Sequence, residues 1–336
     1  MLKKSLLSKV LVVCFLVPSL FAQAEEVNVY SYRQPFLVEP LFNVFTEQTG
    51  VKVNVVFAKK GMAERLAREG EHSPADVLLT TDISRLVELH DKNLLQVVQS
   101  EKLEQAVPAK FQSLDNTWYA LTMRVRNIYS SKRLGNIDIS YEDLADAKYK
   151  GRVCTRSGKH AYNVALVASM IAEHGEEKTL TWLEGFKQNL ARKPQGSDRG
   201  QVQAIHQNLC DLSLGNSYYF GKMLNDDKQK VWAEAVNINF PNQNNRGAHV
   251  NISGVAMAKH APNQGNALAL MEFLVSEKAQ QMYAKTNMEY PVREGVAVSD
   301  LVSSWGEFKA DELSLETIAK NRKAAIMLLD KAQFDL

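Results

Sequence analysis

The spacing of apolar residues along the chain changes period several times, and each change marks an element. Residues 27–32 (VNVYSY) alternate with period two and are rich in strand formers, which predicts a first strand. From 35 to 48 the residues Phe36, Leu37, Leu41, Phe42, Val44 and Phe45 recur at helical spacing, and Gly50 stops the run. Residues 51–57 (VKVNVVF) read as a second strand, 61–69 as a short amphipathic helix, 75–80 (ADVLLT) as a short buried strand and 82–95 as a helix. Strand and helix alternating through short connections predict a parallel α/β sheet. Ligands of such sheets bind beyond the carboxyl ends of the strands, which puts Tyr32, Arg33 and Gln34 on one rim with Thr80, Thr81 and Asp82.

The pattern then repeats. A long strand is predicted at 117–130, with Arg124 and Arg126 two apart and so on one face. It reads either as a solvated edge strand or as a strand crossing between lobes and showing its arginines to a cleft. Residues 152–155 form a strand, and 161–174 a helix ended by Gly175. Ser157 and Gly158 therefore open a helix N-terminus, where free N–H groups and the helix dipole favour an anion. Tyr162 lies in the first turn of that helix. Helices at 179–190 and 201–209 precede a short strand at 210–214, and 250–259 is a strand able to return to the first lobe. Helical spacing from 261, an extended segment at 289–292 and one long helix after Ser314 complete the chain. Two discontinuous α/β lobes are expected, 25–123 with 251–300 and 124–250 with 301–336.

The first residues stand apart from this pattern. Lys3, Lys4 and Lys9 precede an apolar run from Val10 to Phe21, and Ala22-Gln23-Ala24 is an A-x-A cleavage site, the signature of an export signal cut after Ala24. The expected compartment is the periplasm. Without those three lysines the 40 basic residues fall to 37 against 38 acidic ones, a mature charge of about −1. That gives no support for a nucleic-acid partner. Cys154 and Cys210 remain; an export compartment permits them to pair, and two buried free thiols are the alternative.

The stretch Gly215-Asn216-Ser217-Tyr218-Tyr219-Phe220-Gly221 carries the most specific chemistry. Neighbouring side chains on a straight strand point to opposite faces, so both phenols serve one site only if the chain bends there. The flanking glycines are expected to permit the bend. Phenolate oxygen is a hard donor that suits Fe(III); ordinary aromatic packing is the alternative. G-x-S-x-G, H-E-x-x-H and a close Cys/His pair with a placed acid are all missing, so no enzyme is expected. A carrier of a small anion, using Ser157 and Arg124, is the second reading.

The segments SPADVLLTTDISRL (with Asp76), RVRNIYS, RSGKHAYN, GNSYYFG and RGAHVNISG resemble the periplasmic ferric-iron-binding proteins of ABC importers, the bacterial transferrins. The resemblance covers the chain from Glu25 onward. It implies the type II periplasmic-binding-protein fold, α/β and two-lobed with two crossing strands at the hinge. It implies Fe(III) held by Tyr162, Tyr218 and Tyr219, with a synergistic anion such as carbonate at Arg124, Ser157, Gly158 and Lys159. Arg126 is the alternative to Arg124, Asn216 matches a residue supporting the ligands, and Asp198 a polar cleft residue. The chain departs from the family where many members carry His or His-Tyr, because Gln34 and Pro35 stand there. It departs again where some carry Glu, with Thr81 followed by Asp82. Tyr32, Gln34 and Asp82 are then the first-lobe candidates, and anion or water completes the shell. His160 is a minor ligand candidate and His249 is expected to be structural. The implied partners are an inner-membrane permease with its ATPase and a ferric ion or weak ferric chelate, with the chain a monomer.

Overall fold

A computed structural model describes residues 25–336, and the expected export signal lies outside them. The strands are β1 (Glu26–Ser31), β2 (Lys52–Phe57), β3 (Val77–Thr80), β4 (Trp118–Ser131), β5 (Val153–Cys154), β6 (Leu212–Asn216), β7 (Val236–Asn239), β8 (Val250–Met257) and β9 (Tyr290–Pro291). They pair in the order β2-β1-β3-β8-β4-β6-β5, with β7 and β9 also on β4. The expected parallel start is present, since β1 runs parallel to both β2 and β3.

The fourth strand joins two bodies. Its residues Trp118 to Val125 pair with β8, and Arg126 to Ser130 pair with β6. Arg124 and Arg126, two apart on one strand, thus fall on either side of the change of partner: Arg124 faces Asn251 and Arg126 faces Asn216. Each body has its own apolar core. The first gathers Val29, Leu41, Phe45, Leu78, Leu86, Val255 and Leu270; the second gathers Ile128, Leu144, Val167, Trp182, Leu214 and Leu328. Fully burying one such side chain contributes about 1.5–3 kcal/mol. A smaller cluster contains Val202, Ile205, Phe220 and Met223 beside the disulfide Cys154–Cys210, so the paired reading of the cysteines holds.

The chain after Ser314 is two helices, Leu315–Lys320 and Arg322–Lys331, not one. The break has a packing reason. Leu315 and Ala319 sit in the first core and Ile318 in the second, whereas Leu328 and Leu329 belong to the second alone. The helix expected at 201–209 runs from Asp198 to His206, because Ser197 caps it by accepting from the Gly200 N–H. The helix expected to reach 95 ends at Asp91, where the chain turns through Asn93 at φ 54°.

Candidate metal centre

The bend in the tyrosine stretch is made by Asn216, not by glycine. Asn216 ends β6 and precedes the helix Ser217–Leu224 with φ −82° and ψ 138°, values open to any residue. Neither flanking glycine adopts positive φ. Gly215 is small because Tyr129 lies against it: a Cβ there would stand 2.2 Å from the Tyr129 ring. The Tyr129 hydroxyl donates to the Asn216 carbonyl at 2.9 Å, which holds the turn. Gly221 lies against Met288 and Trp305 for the same steric reason.

Tyr218 and Tyr219 therefore occupy the first turn of a helix, with ring centroids 4.2 Å apart. Tyr162 occupies the first turn of the helix Ala161–His174, and its hydroxyl lies 3.2 Å from that of Tyr218. His160 caps this helix: its Nδ1 accepts from the Tyr162 N–H at 3.3 Å, and its ring meets the Tyr162 ring edge-on. Burial, helped by Arg156, pushes the His160 pKa down to about 4, so the ring is neutral at pH 7. Burial, reinforced by Tyr162 and Tyr219, pushes the Tyr218 phenol well above its ordinary value, while Arg124 pulls the other way. Tyr219 is pushed up to about 12, by burial first and then by Tyr162 and Asp198.

The two arginines have separate tasks. Arg124 lines the cleft, donates to the Thr81 carbonyl and lies 5.8 Å from the Tyr162 ring centre. Arg126 does not line the cleft. It is buried beneath, donating to Asp198 at 2.6 Å, Asn216 Oδ1 at 3.1 Å and Asn163 Oδ1 at 2.7 Å. Asp198, fully buried, also accepts from Arg156 and from the Asn216 N–H. Burial raises its pKa, but Arg126 and Arg156 outweigh that and hold it below the usual carboxylate value. Asp198 is thus a buried ion pair under the phenols and not a polar cleft residue.

The anion loop is filled from within. Ser157, Gly158 and Lys159 are absent from the cleft wall and direct their donors to the Asp335 carboxylate. The loop donors expected to meet a free anion together with Arg124 are directed here to a carboxylate of the chain itself. Of the first-lobe candidates, Gln34 and Tyr32 line the cleft. The Tyr32 hydroxyl accepts from the Met62 N–H at 3.2 Å, and Arg85 stacks on its ring at 3.8 Å. Asp82 caps the helix Ile83–Asp91 and accepts from Asn251 Nδ2, so its oxygens are committed to structure. His249 is fully buried at the start of β8, as a structural residue would be.

The cleft has a volume of about 840 Å³. Arg33, Lys59, Arg85, Arg124, Arg199 and Lys222 line it, against the acids Asp226 and Glu289. Glu289 is engaged by Arg33 at 2.7 Å and by Thr122 at 3.0 Å. Among the described residues, no three of His, Cys, Asp and Glu cluster as a metal site. The phenol oxygens are hard donors, suited to a hard, highly charged cation, while the basic lining suits an anion beside it.

Comparison with known proteins fits this geometry. Residues 72–310 match the family described as bacterial extracellular solute-binding protein. The chain belongs to this family. The solute-binding protein is 44% identical to iron uptake protein A1 of Synechocystis over 92% of its own length and 88% of that protein. It superposes on apo ferric ion-binding protein A of Pasteurella haemolytica with a TM-score of 0.89 and 55% identity, covering 93% of this chain and 99% of that one. A Trichodesmium protein solved with iron and citrate ligands superposes at 0.88 with 37% identity, over 92% and 99%. The solute-binding protein thus has the type II periplasmic-binding-protein fold.

Sequence reasoning placed Arg33 on the rim but missed the cleft roles of Arg199, Lys222 and Glu289. Arg33 and Glu289 are 256 positions apart, and no local pattern signals their pairing. For Lys222 a signal existed, since it lies one helical turn beyond Tyr218 and Tyr219.

Proposed function

We propose that this protein captures ferric iron between its lobes with the phenolates of Tyr162, Tyr218 and Tyr219 and hands it to an ABC-type permease and its ATPase. The observation that carries the reading is the meeting of the Tyr162 and Tyr218 hydroxyls at 3.2 Å, with Tyr219 beside them, at two helix starts on one rim. Three phenolates balance Fe³⁺, so loading leaves no net charge to bury. Arg124 is the lining cation placed to receive a small anion such as carbonate against the metal, in a bidentate fork. The Synechocystis relative is named for iron uptake and the Pasteurella one for ferric ion, which agrees with ferric cargo, and the iron- and citrate-bound Trichodesmium structure agrees with an anion beside it. In this reading the chain is exported, cut after Ala24 and works as a monomer. Its lobes are 25–123 with 251–300 and 124–250 with 301–336, and the helix Leu315–Lys320 packs on both. The named relatives are binding and uptake proteins, in keeping with a carrier and not an enzyme.

The test is the visible spectrum of purified protein titrated with ferric citrate. A phenolate-to-iron charge-transfer band is expected, and it is expected to vanish in the double variant Tyr218→Phe, Tyr219→Phe. A colourless protein that takes no iron from the chelate refutes the reading. The contacts of Ser157 and Gly158 with Asp335 favour the iron reading over the anion-carrier alternative.

A further inference from the structure

The segment after the helix Arg322–Lys331 folds back over the loop at 156–160. Phe334 is buried and meets Phe186 edge-on at 5.1 Å. Phe334 and Leu329 press on Gly158 so closely that a Cβ there would stand 2.7 and 2.8 Å from them. This packing delivers the Asp335 carboxylate to the head of the Ala161–His174 helix. Ser157 Oγ donates to its Oδ2 at 2.6 Å, the Gly158 N–H to its Oδ1 at 2.7 Å and the Lys159 N–H to its Oδ2 at 3.4 Å. Lys159 Nζ pairs with Asp330 at 2.5 Å, which fastens the same two segments a second time. The loop continues the linkage inward. The Ser157 carbonyl accepts from Asn163 Nδ2 at 3.2 Å, and Asn163 Oδ1 accepts from Arg126. Tyr162 lies inside this braced turn.

We propose that Asp335 is the built-in anion of this loop and a positioning residue for Tyr162. The ferric cargo is then bound without a free anion at Ser157 to Lys159, and an oxyanion enters that cradle only when Asp335 is taken away. The chemistry is that of a carboxylate or phosphate at a helix start: two backbone N–H groups, one hydroxyl and the positive end of the helix dipole. Because the carboxylate belongs to the chain, its effective concentration at the loop exceeds that of ordinary dissolved anions. The proposal rests on the ferric reading of the phenols for its effect on Tyr162, but not for the anion site itself.

Two measurements on Asp335→Ala and Asp335→Asn separate those parts. In metal-free protein, inorganic phosphate is expected to raise the melting temperature of Asp335→Ala more than that of the parent chain, because the cleft cations can take phosphate in both and only the variant has an open loop. In iron-loaded protein, Asp335→Ala is expected to lose iron to excess citrate about tenfold faster, the scale of one lost charge-assisted hydrogen bond. Phosphate is expected to restore most of the parent rate, and Asp335→Glu to fall between the two. Should Asp335→Ala not fold, Ser157→Ala removes one donor and is expected to show the same acceleration, smaller. A variant that releases iron at the parent rate, or phosphate acting equally on parent and variant, overturns the proposal. A parent chain that takes up no iron overturns the phenol reading, while the phosphate-dependent melting of Asp335→Ala still decides the anion site.

Discussion

In the phenolate reading proposed above, iron loading must drive protons out of this site, and the structure sets the scale. Tyr219 is pushed up to about 12 and Tyr218 well above its ordinary value, both chiefly by burial. At pH 7 both are neutral phenols in the metal-free protein. Taking the proton from Tyr219 alone at pH 7 costs about 7 kcal/mol, at about 1.4 kcal/mol for each pH unit. The bound metal has to supply this, because it binds the phenolate and not the phenol. The sign follows directly: low pH fills the phenols and opposes iron, high pH favours it. With at least these two protons expelled, the ferric affinity is expected to fall about a hundredfold per unit of falling pH. A pH-stat titration at pH 7 measures the release directly, with the ferric chelate alone as the blank. Two or more protons per iron are expected, and about one fewer in Tyr219→Phe. Release of less than one proton per iron, or an affinity that is flat from pH 8 to 6 after correction for the chelate, would refute the reasoning.

Two further substitutions test the scaffold under the phenols. Asp198→Asn leaves Arg126 and Arg156 without their shared carboxylate, and a loss of about 3–5 kcal/mol in denaturant unfolding is expected. Adding Arg126→Met is expected to recover part of it, and an unchanged midpoint in the single variant would show the pair to be dispensable. Gly215→Ala drives a methyl into the Tyr129 ring and is expected to cost at least about 1–3 kcal/mol. Combining it with Tyr129→Leu should regain stability; if the double variant is additive, the ring is not the cause.

The elements that the sequence announced most clearly are those with a short period and local stops. The alternation at 27–32 and 51–57 became β1 and β2, and the run ended by Gly50 became the helix Pro35–Thr49. Tyr162 and the tyrosine pair were also legible, because a helix start and a strand end can be placed from nearby residues. What escaped notice depends on partners far along the chain. Spacing put Arg124 and Arg126 on one face, yet β4 changes partner between them: both are buried, but only the second pairs with Asp198, 72 positions away, while the first lines the cleft. The anion of the Ser157 loop lies 177 positions from Gly158. The glycines around the tyrosines were correctly singled out but for the wrong reason, since their crowding by Tyr129, Met288 and Trp305 exists only after folding.

The three phenols hang from two helices that both rise from the β5–β6 side of β4. A rotation of one body about β4 and β8 therefore leaves the distances among Tyr162, Tyr218 and Tyr219 unchanged. Opening the cleft uncovers the donors without pulling them apart. In the proposed phenolate reading, unloading the carrier then requires a chemical competitor, whether protons, a stronger chelator or electrons that soften the metal, because parting the lobes exposes the cargo without freeing it.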